Sequence, residues 1–465
     1  MPKKLIYAGF CAPNGKYSDY SEFVNRLTDN VFCSLKDVGL THLFGFGYDH
    51  RKDTILKTFD LCEKYDIAYF PTLSSFEPYQ KCLTDQEGKA FDDLDEKEIE
   101  ALDCHFLLEL SEYSSKKSFG GVFFSDEPGY LKLNGIAHAK KVFSKAYPEK
   151  EFHFNFFSYS INDGIFWGGT FQQINDVKLP FSLKGDMAIT FPNRFRYYDV
   201  FVNHLLSQTH FEWVSYDKYA FETFWPDLLT SVHVALFELN AYFGEKSLKE
   251  DFSFYSYLQV GNFDGSKRQM TFAEWQLQCN VSLGYGAKGF AYFPCCFPLD
   301  WVKNPSFADA ENGGSSLLDA KGEPTKFFFY AKKTKEFFSL FEDDLLSSRL
   351  LGVTAYGTYD NGYDKEFIKT LPDCECIFQG ELPNILRYKE KRLSLSSDNE
   401  LLVSTFVNGT KKRFFIINLS TTKPCHFNLR INGSYALYRM TESGSFENNL
   451  QNELKPGEGI YIKEL

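Results

Sequence analysis

The chain has 465 residues, of which 43% are hydrophobic and 18% aromatic, and its formal net charge is −12. This length and apolar content predict a large core, divided between one large domain and a smaller one. The negative charge and the lack of a basic stripe argue against a nucleic-acid partner. No apolar stretch reaches the ~18–20 residues that a membrane helix needs, so no membrane partner is expected.

The cysteines and the N-terminal residues bear on location and cofactors. The 11 cysteines are odd in number and scattered, which is typical of a reduced, cytosolic protein. The apolar run Leu5–Phe10 is too short for a signal-peptide core and reads as a first strand. Neither the pair Cys374 and Cys376 nor the adjacent Cys295 and Cys296 has a zinc-site spacing. The sequence therefore predicts a cytoplasmic protein without a metal or other cofactor.

Strand-like and helix-like segments alternate through the first 347 residues. Eight apolar runs have the pattern of strands: Leu5–Phe10, Thr41–Tyr48, Ile67–Leu73, Phe119–Ser125, Glu151–Tyr159, Phe211–Tyr219, Phe252–Val260 and Ala287–Phe293. Eight segments have helical spacing: Phe23–Val38, Thr54–Tyr65, Glu98–Lys117, Leu133–Ala146, Phe195–Gln208, Leu228–Tyr242, Thr271–Gly286 and Lys326–Leu346. Residues Ile161–Pro192 read as a long loop. Eight strand–helix pairs predict an α/β fold of the TIM (β/α)8 barrel type over residues 1–347. A doubly wound sheet would carry a glycine-rich phosphate loop after its first strand, and this chain has none there.

The pattern changes in residues 348–465. Short β-rich runs follow one another: Leu351–Tyr359, Leu401–Val407, Arg413–Leu419, His426–Ile431, Ser434–Arg439 and Gly459–Lys463. Asn-Gly and Pro-Gly turns separate several of them. We therefore expect a C-terminal antiparallel β-sandwich domain, which buttresses the barrel, contributes to a homo-oligomer interface or supplies a substrate-binding edge.

The reacting groups of a TIM barrel lie at the C-terminal ends of its strands, so polar residues at those ends are the candidates for a site. Three carboxyl residues are candidates for catalysis: Asp126, Glu127 and Asp217. Nine residues are candidates for binding substrate: Asp49, His50, Asn155, Tyr159, Tyr216, Tyr219, Gln259, Tyr292 and Trp301.

The sharpest signal is Asp126-Glu127-Pro128, which closes the apolar run 119–125. Glycoside cleavage needs one carboxylic acid to protonate the leaving oxygen and a second carboxylate opposite it. A half-buried barrel rim raises the pKa of a carboxyl group by desolvation, as such an acid requires. The alternative is that Asp126 caps the next helix and Glu127 is solvated.

Other residues of the rim have more ordinary alternatives. Asp217 closes the sixth strand and reads either as a second catalytic carboxyl or as a turn residue. The aromatic residues Trp213, Trp225, Trp301 and Tyr292 can stack on sugar rings, although core packing is the commoner role of each. His50 and Arg268 could bind substrate hydroxyls.

The order of these motifs resembles that of the barrel glycoside hydrolases in the clan that includes family 42 β-galactosidases. More closely, it resembles a poorly characterised bacterial group with a strand-four Asp-Glu-Pro motif. The matching segments are Gly121–Pro128, Phe154–Phe156, Ser215–Tyr219, Gln259, Gly284–Phe293 and residues 322–325. The resemblance covers roughly residues 5–345 and implies a carbohydrate substrate.

The chain departs from this pattern in its catalytic pair. In the large retaining clan, the acid is a Glu preceded by Asn on strand four and the nucleophile is a Glu on strand seven. Here Asp126 takes the place of the Asn, and Gln259 stands on strand seven. Two mechanisms remain. In the favoured one, Glu127 is the acid and Asp217 or Glu222 is its partner. In the other, Asp126 is the nucleophile and Asp217 the acid/base, as in barrels of the α-galactosidase type.

The leading hypothesis is thus an exo-acting glycosidase for short oligosaccharides or glycosides. The rival is a catalytically inactive carbohydrate-binding barrel, since the strand-seven Glu is missing. A lyase or isomerase would usually need a metal cluster or a Lys or His base at the rim. The sequence offers only His50 and Lys218 there, which disfavours this class of enzyme.

Overall fold

The computed structural model describes residues 4–13, 26–45, 51–81, 89–158, 191–221, 233–261, 269–297, 315–356 and 390–465, with residues 191–197, 233–235 and 355 described by their backbone alone. The predicted loop Ile161–Pro192 lies outside the described residues up to position 190.

Eight parallel strands form the first sheet. They are β1 (Ile6–Phe10), β2 (His42–Gly45), β3 (Ala68–Pro71), β4 (Gly121–Asp126), β5 (Glu151–Phe156), β6 (Trp213–Tyr216), β7 (Ser253–Gln259) and β8 (Gly289–Phe293). Their order is β3-β2-β1-β8-β7-β6-β5-β4. A parallel bridge between Tyr69 and Phe119 joins the two outer strands. There the Tyr69 N–H donates to the Ser118 carbonyl at 2.7 Å, and the Gly120 N–H donates to the Tyr69 carbonyl at 3.1 Å. The sheet is therefore a closed barrel, as predicted.

The helices alternate with these strands. They are α1 (Asp29–Asp37), α2 (Lys52–Tyr65), α3 (Glu96–Ser111), α4 (Leu133–Ala146), α5 (Phe191–Leu206), α6 (Leu239–Glu250), α7 (Phe272–Gly284), α8 (Lys326–Phe338) and α9 (Glu342–Leu346). A π-helical turn, His233–Glu238, leads into α6, and short 3₁₀ helices span Ser74–Gln80, Phe91–Asp93 and Tyr130–Lys132.

Local sequence explains where two of these helices begin. Before α3, the Asp95 carboxylate accepts from the Glu98 N–H at 3.0 Å, and the Glu98 carboxylate accepts from the Asp95 N–H at 2.8 Å. Thr271 and Glu274 form the same reciprocal pair before α7. Such capping boxes satisfy backbone donors that the first helical turn leaves unpaired.

Side chains from alternate strand positions fill the barrel interior. Phe10 lies at its centre, with its ring centroid 5.3 Å from those of Phe123, Tyr257 and Phe293. The outward-facing side chains pack against the helices in a second, larger apolar layer. The barrel is thus a packed core, and a substrate can meet it only at a mouth.

The C-terminal residues form a seven-stranded antiparallel sheet. Its strands are β9 (Arg349–Tyr356), β10 (Leu393–Ser397), β11 (Leu401–Asn408), β12 (Lys411–Asn418), β13 (Cys425–Arg439), β14 (Glu442–Leu454) and β15 (Gly459–Glu464). The main order is β10-β13-β15-β12-β11-β9, and β14 pairs with β13. The two predicted strands His426–Ile431 and Ser434–Arg439 are one strand, β13, whose register shifts between Arg430 and Ser434. The sequence did not predict β10 or β14.

The strands β11 and β12 of this sheet are buried on both faces. Leu402 and Ile417 belong to the apolar core that surrounds the barrel, whereas their neighbours Leu401 and Ile416 belong to a separate core inside the C-terminal region. The alternation confirms the predicted fold class, a TIM barrel followed by a β-sandwich. Because one core continues from the barrel into β11 and β12, the domain boundary between residues 347 and 348 stays a prediction.

Candidate active site

The end of β4 turns sharply at the two adjacent carboxyl residues. The pairing of β4 with β5 shifts between Phe123 and Ser125, after which Asp126 pairs with Asn155. Glu127 then takes a left-handed backbone conformation, with φ of +46°. Non-glycine residues pay for this conformation, and such strain is concentrated at functional sites.

Strand β5 fixes the positions of the residues on either side of it. The Glu127 N–H donates to the Asn155 carbonyl at 2.9 Å, and the Asp217 N–H donates to the Phe156 carbonyl at 3.0 Å. Two consecutive carbonyls of β5 therefore hold the backbones of two predicted catalytic residues, one from β4 and one from β6.

The side chain of Asn155 orients the third carboxyl group. Its Nδ2 atom donates to Asp126 Oδ1 at 3.1 Å, and its Oδ1 atom accepts from the Ser215 hydroxyl at 2.9 Å. Because Asn155 is 1% exposed, this chain of hydrogen bonds is shielded from water. The side chain of Asn155 thus orients Asp126. Nothing in this position supports the predicted contact between Asn155 and a substrate.

The side chains of Glu127 and Asp217 hydrogen-bond each other, and Tyr219 also bonds Asp217. Burial, the charges of Glu127 and Asp126, and the bond to Glu127 raise the pKa of Asp217 well above its usual range. Burial also raises the pKa of Glu127, although its bond with Asp217 and the charge of Lys218 oppose the shift. Both pKa values are therefore raised, and the two carboxyl groups share a proton near neutral pH.

Asp126 belongs to the same electrostatic cluster. Burial and the charge of Glu127 raise the pKa of Asp126 to about 8, against the opposing effect of the hydrogen bond from Asn155. Three like-charged groups that interact this strongly cannot all be ionised near neutral pH. The cluster thus contains both an acid and a carboxylate, which is the combination that acid/base chemistry needs.

An aromatic wall borders the cluster. Tyr219 stacks on Phe293, with ring centroids 5.4 Å apart and planes at 25°. Tyr219 lies beside Asp217, and its predicted contact with a substrate stays a prediction. Apolar rings around the carboxyl groups lower the local dielectric constant and explain the upward pKa shifts.

Two predicted substrate-binding residues point away from the mouth. Tyr216 stacks on Phe243 of α6, with centroids 4.7 Å apart and planes at 6°. Tyr292 stacks on Trp275 of α7, with centroids 5.8 Å apart and planes at 17°. Both side chains lie in the outer apolar layer, because each sits one strand position away from the inward-facing set. Their prediction as binding residues is corrected accordingly.

Gln259 is also engaged elsewhere. Its Oε1 atom accepts from the Phe221 N–H at 2.8 Å, while its Nε2 atom donates to the carbonyls of Phe221 and Gly261 at 3.0 and 3.1 Å. The side chain is fully buried. It ties the segment after β6 to the end of β7, so direct substrate binding by Gln259 has no support in this geometry.

The remaining candidates of the rim lie outside the described residues. They are Asp49, His50, Tyr159, Glu222, Trp225, Arg268 and Trp301, and their roles stay predictions. Trp213 is described, but it lies at the opposite mouth, where a cavity of about 780 Å³ is lined by residues that begin strands, such as Ile6, His42 and Glu151. Trp213 therefore does not face the carboxyl groups.

One residue of the mouth escaped the sequence analysis. Tyr257 lies on β7 with its ring inside the barrel, against Phe10. Side chains that point into a barrel recur at every second residue of a strand. Tyr257 could therefore have been found by counting back two positions from Gln259.

Among the described residues, no cluster of three or more His, Cys, Asp or Glu side chains could hold a metal ion. None of the described helices has the length and apolar character to cross a bilayer. The predicted cytoplasmic location and homo-oligomer stay predictions.

No protein-family sequence model matches the chain, and no curated protein matches it in sequence. Solved structures do match its fold. A catalytic mutant of a GH42 β-galactosidase from G. stearothermophilus has a TM-score of 0.52 at 9% identity, over 100% of this chain and 98% of that one. The β-galactosidase of Bacillus circulans sp. alkalophilus has a TM-score of 0.50 at 8% identity, over 100% and 99%.

Other matching structures belong to longer chains. The β-galactosidase of Marinomonas ef1 matches with a TM-score of 0.42 at 10% identity, over 74% of this chain and 62% of that one. The chain thus spans less than two thirds of the length of that enzyme. At these identities, the likeness to the two structures that match end to end concerns the fold, a TIM barrel followed by a C-terminal β-sandwich.

Proposed function

We propose that the protein is a glycoside hydrolase whose active site is the cluster of Asp126, Glu127 and Asp217. The observation that carries the proposal is the hydrogen bond between Glu127 and Asp217, next to a third carboxyl group with a raised pKa. Glycoside cleavage needs an acid and a carboxylate together at one site. The fold shared with β-galactosidases is consistent with this chemistry.

The position of the shared proton favours Asp217 as the acid. The charge of Lys218 stabilises the Glu127 carboxylate, whereas the charge of Asp126 disfavours ionisation of Asp217, so we assign the shared proton to Asp217. Asp217 would pass this proton to the glycosidic oxygen as the bond to the sugar breaks. Asp217 would afterwards regain a proton from the water that completes the hydrolysis, while Glu127 stays ionised as its hydrogen-bond partner.

Asp126 is the better partner for Asp217. A sugar cannot lie between Glu127 and Asp217 while their side chains touch, since the flanking carboxyl groups of glycosidases lie about 5–9.5 Å apart. Asp126 is instead held separately by Asn155. The proposal therefore adopts the mechanism with Asp126 as nucleophile or base, in preference to the one with Glu127 as acid.

The test uses nitrophenyl glycosides with good and poor leaving groups. Asp217→Asn should lose turnover of poor leaving groups, by about 10²–10⁴-fold, and keep much of it for dinitrophenyl glycosides, which need no acid. Asp126→Asn should lose both, and Glu127→Gln should be intermediate for both. Asp66→Asn is the matched control, because the carboxylate of Asp66 is 99% exposed. Hydrolysis of no glycoside by the wild type, or undiminished turnover in all three variants, would contradict the proposal.

The proposal also includes the mode of cleavage, which is exo-action on short oligosaccharides. It predicts that monosaccharides or disaccharides appear first when a reduced oligosaccharide is digested. Release of internal fragments of mixed length at early times would indicate endo-action instead.

One observation favours a non-catalytic alternative. Gln259, which stands where the resembling enzymes carry their strand-seven Glu, has its amide bonded to backbone and is buried. A carbohydrate-binding barrel without activity would show sugar binding by calorimetry and no hydrolysis over days.

A further inference from the structure

The barrel places Tyr257 beside Asp217. In the pairing of β6 with β7, Tyr216 lies opposite Ser256, so Asp217 and Tyr257 are the next pair along the two strands. Tyr216 packs outward on Phe243, and the Ser256 hydroxyl bonds that of Ser282 on α7 at 2.8 Å. Because strand side chains alternate, Asp217 and Tyr257 both project inward, from strands about 4.8 Å apart.

Each of these two residues has a buried polar atom without a hydrogen-bond partner in the described residues. Within the part of the chain that the structure describes, neither the Tyr257 hydroxyl nor Asp217 Oδ1 has a hydrogen-bond partner, and both atoms are buried. One is a donor and the other an acceptor. Leaving them unpaired costs free energy, so the arrangement has a purpose other than stability.

We propose that Tyr257 is a positioning residue that donates its hydroxyl hydrogen bond to the Asp217 carboxylate once Asp217 has lost its proton. The inference rests on the proposed function, in which that proton passes to the leaving oxygen while the electron pair of the broken bond stays on this oxygen. Tyr257 keeps its own proton throughout. Its hydrogen bond stabilises the negative charge that the transfer leaves on Asp217.

The surroundings of Tyr257 are consistent with a donor. Burial above all, followed by neighbouring charges that include those of Asp126 and Asp217, raises the pKa of Tyr257, so the phenol stays protonated. The titratable groups that act on or around Asp217 in the described residues are Asp126, Glu127, Tyr198, Lys218, Tyr219 and Tyr257. Of these described groups, Tyr257 alone lies next to Asp217 on the adjacent strand and has a hydroxyl without a hydrogen-bond partner.

The test compares Tyr257→Phe with Tyr7→Phe. Tyr7 also carries a buried hydroxyl without a partner in the described residues, but it lies in the outer layer of β1. Both variants should melt at or above the temperature of the wild type, because each loses an unpaired polar group. Only Tyr257→Phe should lower kcat, by about 10- to 100-fold with KM little changed, and it should move the limb of the pH profile that belongs to Asp217 to higher pH.

A second measurement does not depend on activity. The carboxyl signal of Asp217 can be followed in ¹³C-aspartate-labelled protein, assigned by its loss in Asp217→Asn. Its titration midpoint should rise by about one pH unit in Tyr257→Phe and stay unchanged in Tyr7→Phe. A shifted midpoint in a protein that hydrolyses nothing would refute the proposed function and leave the role of Tyr257 standing.

Two results would overturn the role of Tyr257. In the first, the wild type hydrolyses a glycoside, but Tyr257→Phe has the same kinetics and the same Asp217 titration midpoint as Tyr7→Phe. The other is a loss of folding in Tyr257→Phe alone, which would mean that the hydroxyl stabilises the fold.

Discussion

Glu127 and Asp217 come from strands β4 and β6, with β5 between them, and yet their side chains share a hydrogen bond. The contact arises from the backbone, since Asn155 and Phe156 of β5 accept from the N–H groups of Glu127 and Asp217 at 2.9 and 3.0 Å. The barrel itself therefore builds the cluster, and small changes to β5 or to the carboxyl groups should have large effects on chemistry.

The raised pKa of Asp126 predicts an unusual pH profile. In the proposed mechanism Asp126 must be ionised, and its pKa of about 8 means that kcat/KM rises as the pH increases through about 8. Since the charge of Glu127 contributes to this shift, Glu127→Gln should move the acid limb to lower pH. The measurement is kcat/KM against pH for both proteins. An acid limb near pH 4–5 in the wild type would contradict the assignment.

The cluster should also lower the stability of the protein. A carboxyl group whose pKa is higher in the folded than in the unfolded protein binds more protons in the folded state. Its contribution to the free energy of unfolding is therefore most favourable below about pH 4 and declines as the pH rises toward the folded pKa. The pKa of Asp217 is raised in this way. Asp217→Asn should therefore stabilise the protein at pH 7–8, by roughly 0.5–2 kcal/mol, and the gain should shrink toward pH 4.

Urea unfolding at the two pH values checks this expectation. Asp66→Asn is again the control, since it removes an exposed carboxylate at a position with φ of +52°, which Asn tolerates well. A variant Asp217→Asn that is less stable than the wild type at pH 7 would mean that Asp217 has a structural role.

The sequence located the carboxyl cluster because strand ends were visible as the ends of apolar runs. Once eight runs define a barrel, the residues that follow them must meet at one mouth, and Asp126, Glu127 and Asp217 do so. Side-chain direction was harder. Barrel strands are apolar on both faces, so no alternation indicated that Tyr216 and Tyr292 point outward.

The strands that escaped prediction lack the apolar pattern for another reason. Most residues of β14 are exposed, and β10 has only five residues, of which Leu393 alone is buried. Their pairing with β13 depends on backbone hydrogen bonds. A sequence pattern that reports burial cannot detect such strands.

Gln259 offers a test of the missing strand-seven carboxylate. Gln259→Glu would replace an amide donor by a carboxylate facing the carbonyl oxygens of Phe221 and Gly261, which now accept from Nε2 at 3.0 and 3.1 Å. We expect a loss of roughly 2–4 kcal/mol in unfolding free energy and no gain in hydrolysis. Thermal unfolding and glycosidase assays measure the two effects. A stable and more active Gln259→Glu would show that this position can supply the nucleophile, and that Asp126 need not.

The last prediction concerns the junction between the barrel and the C-terminal sheet. Asp344 of α9 accepts from Arg413 Nε at 2.5 Å and Nη2 at 2.9 Å, and from the Tyr461 hydroxyl at 2.8 Å. Tyr461 in turn stacks on Phe341, with ring centroids 4.3 Å apart. Burial acts to raise the pKa of Asp344, but the bonds from Arg413 and Tyr461 outweigh it and hold this pKa below its usual value.

Arg413→Met should therefore cost roughly 1–3 kcal/mol at pH 7, because it leaves the partly buried carboxylate with only Tyr461 and Lys463 as partners. A carboxyl group whose pKa is lower in the folded than in the unfolded protein stabilises the fold at pH values above its unfolded pKa of about 4. This stabilisation is lost as the pH falls through the folded pKa. The difference in unfolding free energy between variant and wild type should therefore diminish below pH 4. Arg430→Met, at an exposed position on β13, is the control. If the C-terminal sheet buttresses the barrel, the variant should shift one cooperative unfolding transition. Separate transitions, with only one of them affected, would show that the two regions unfold independently.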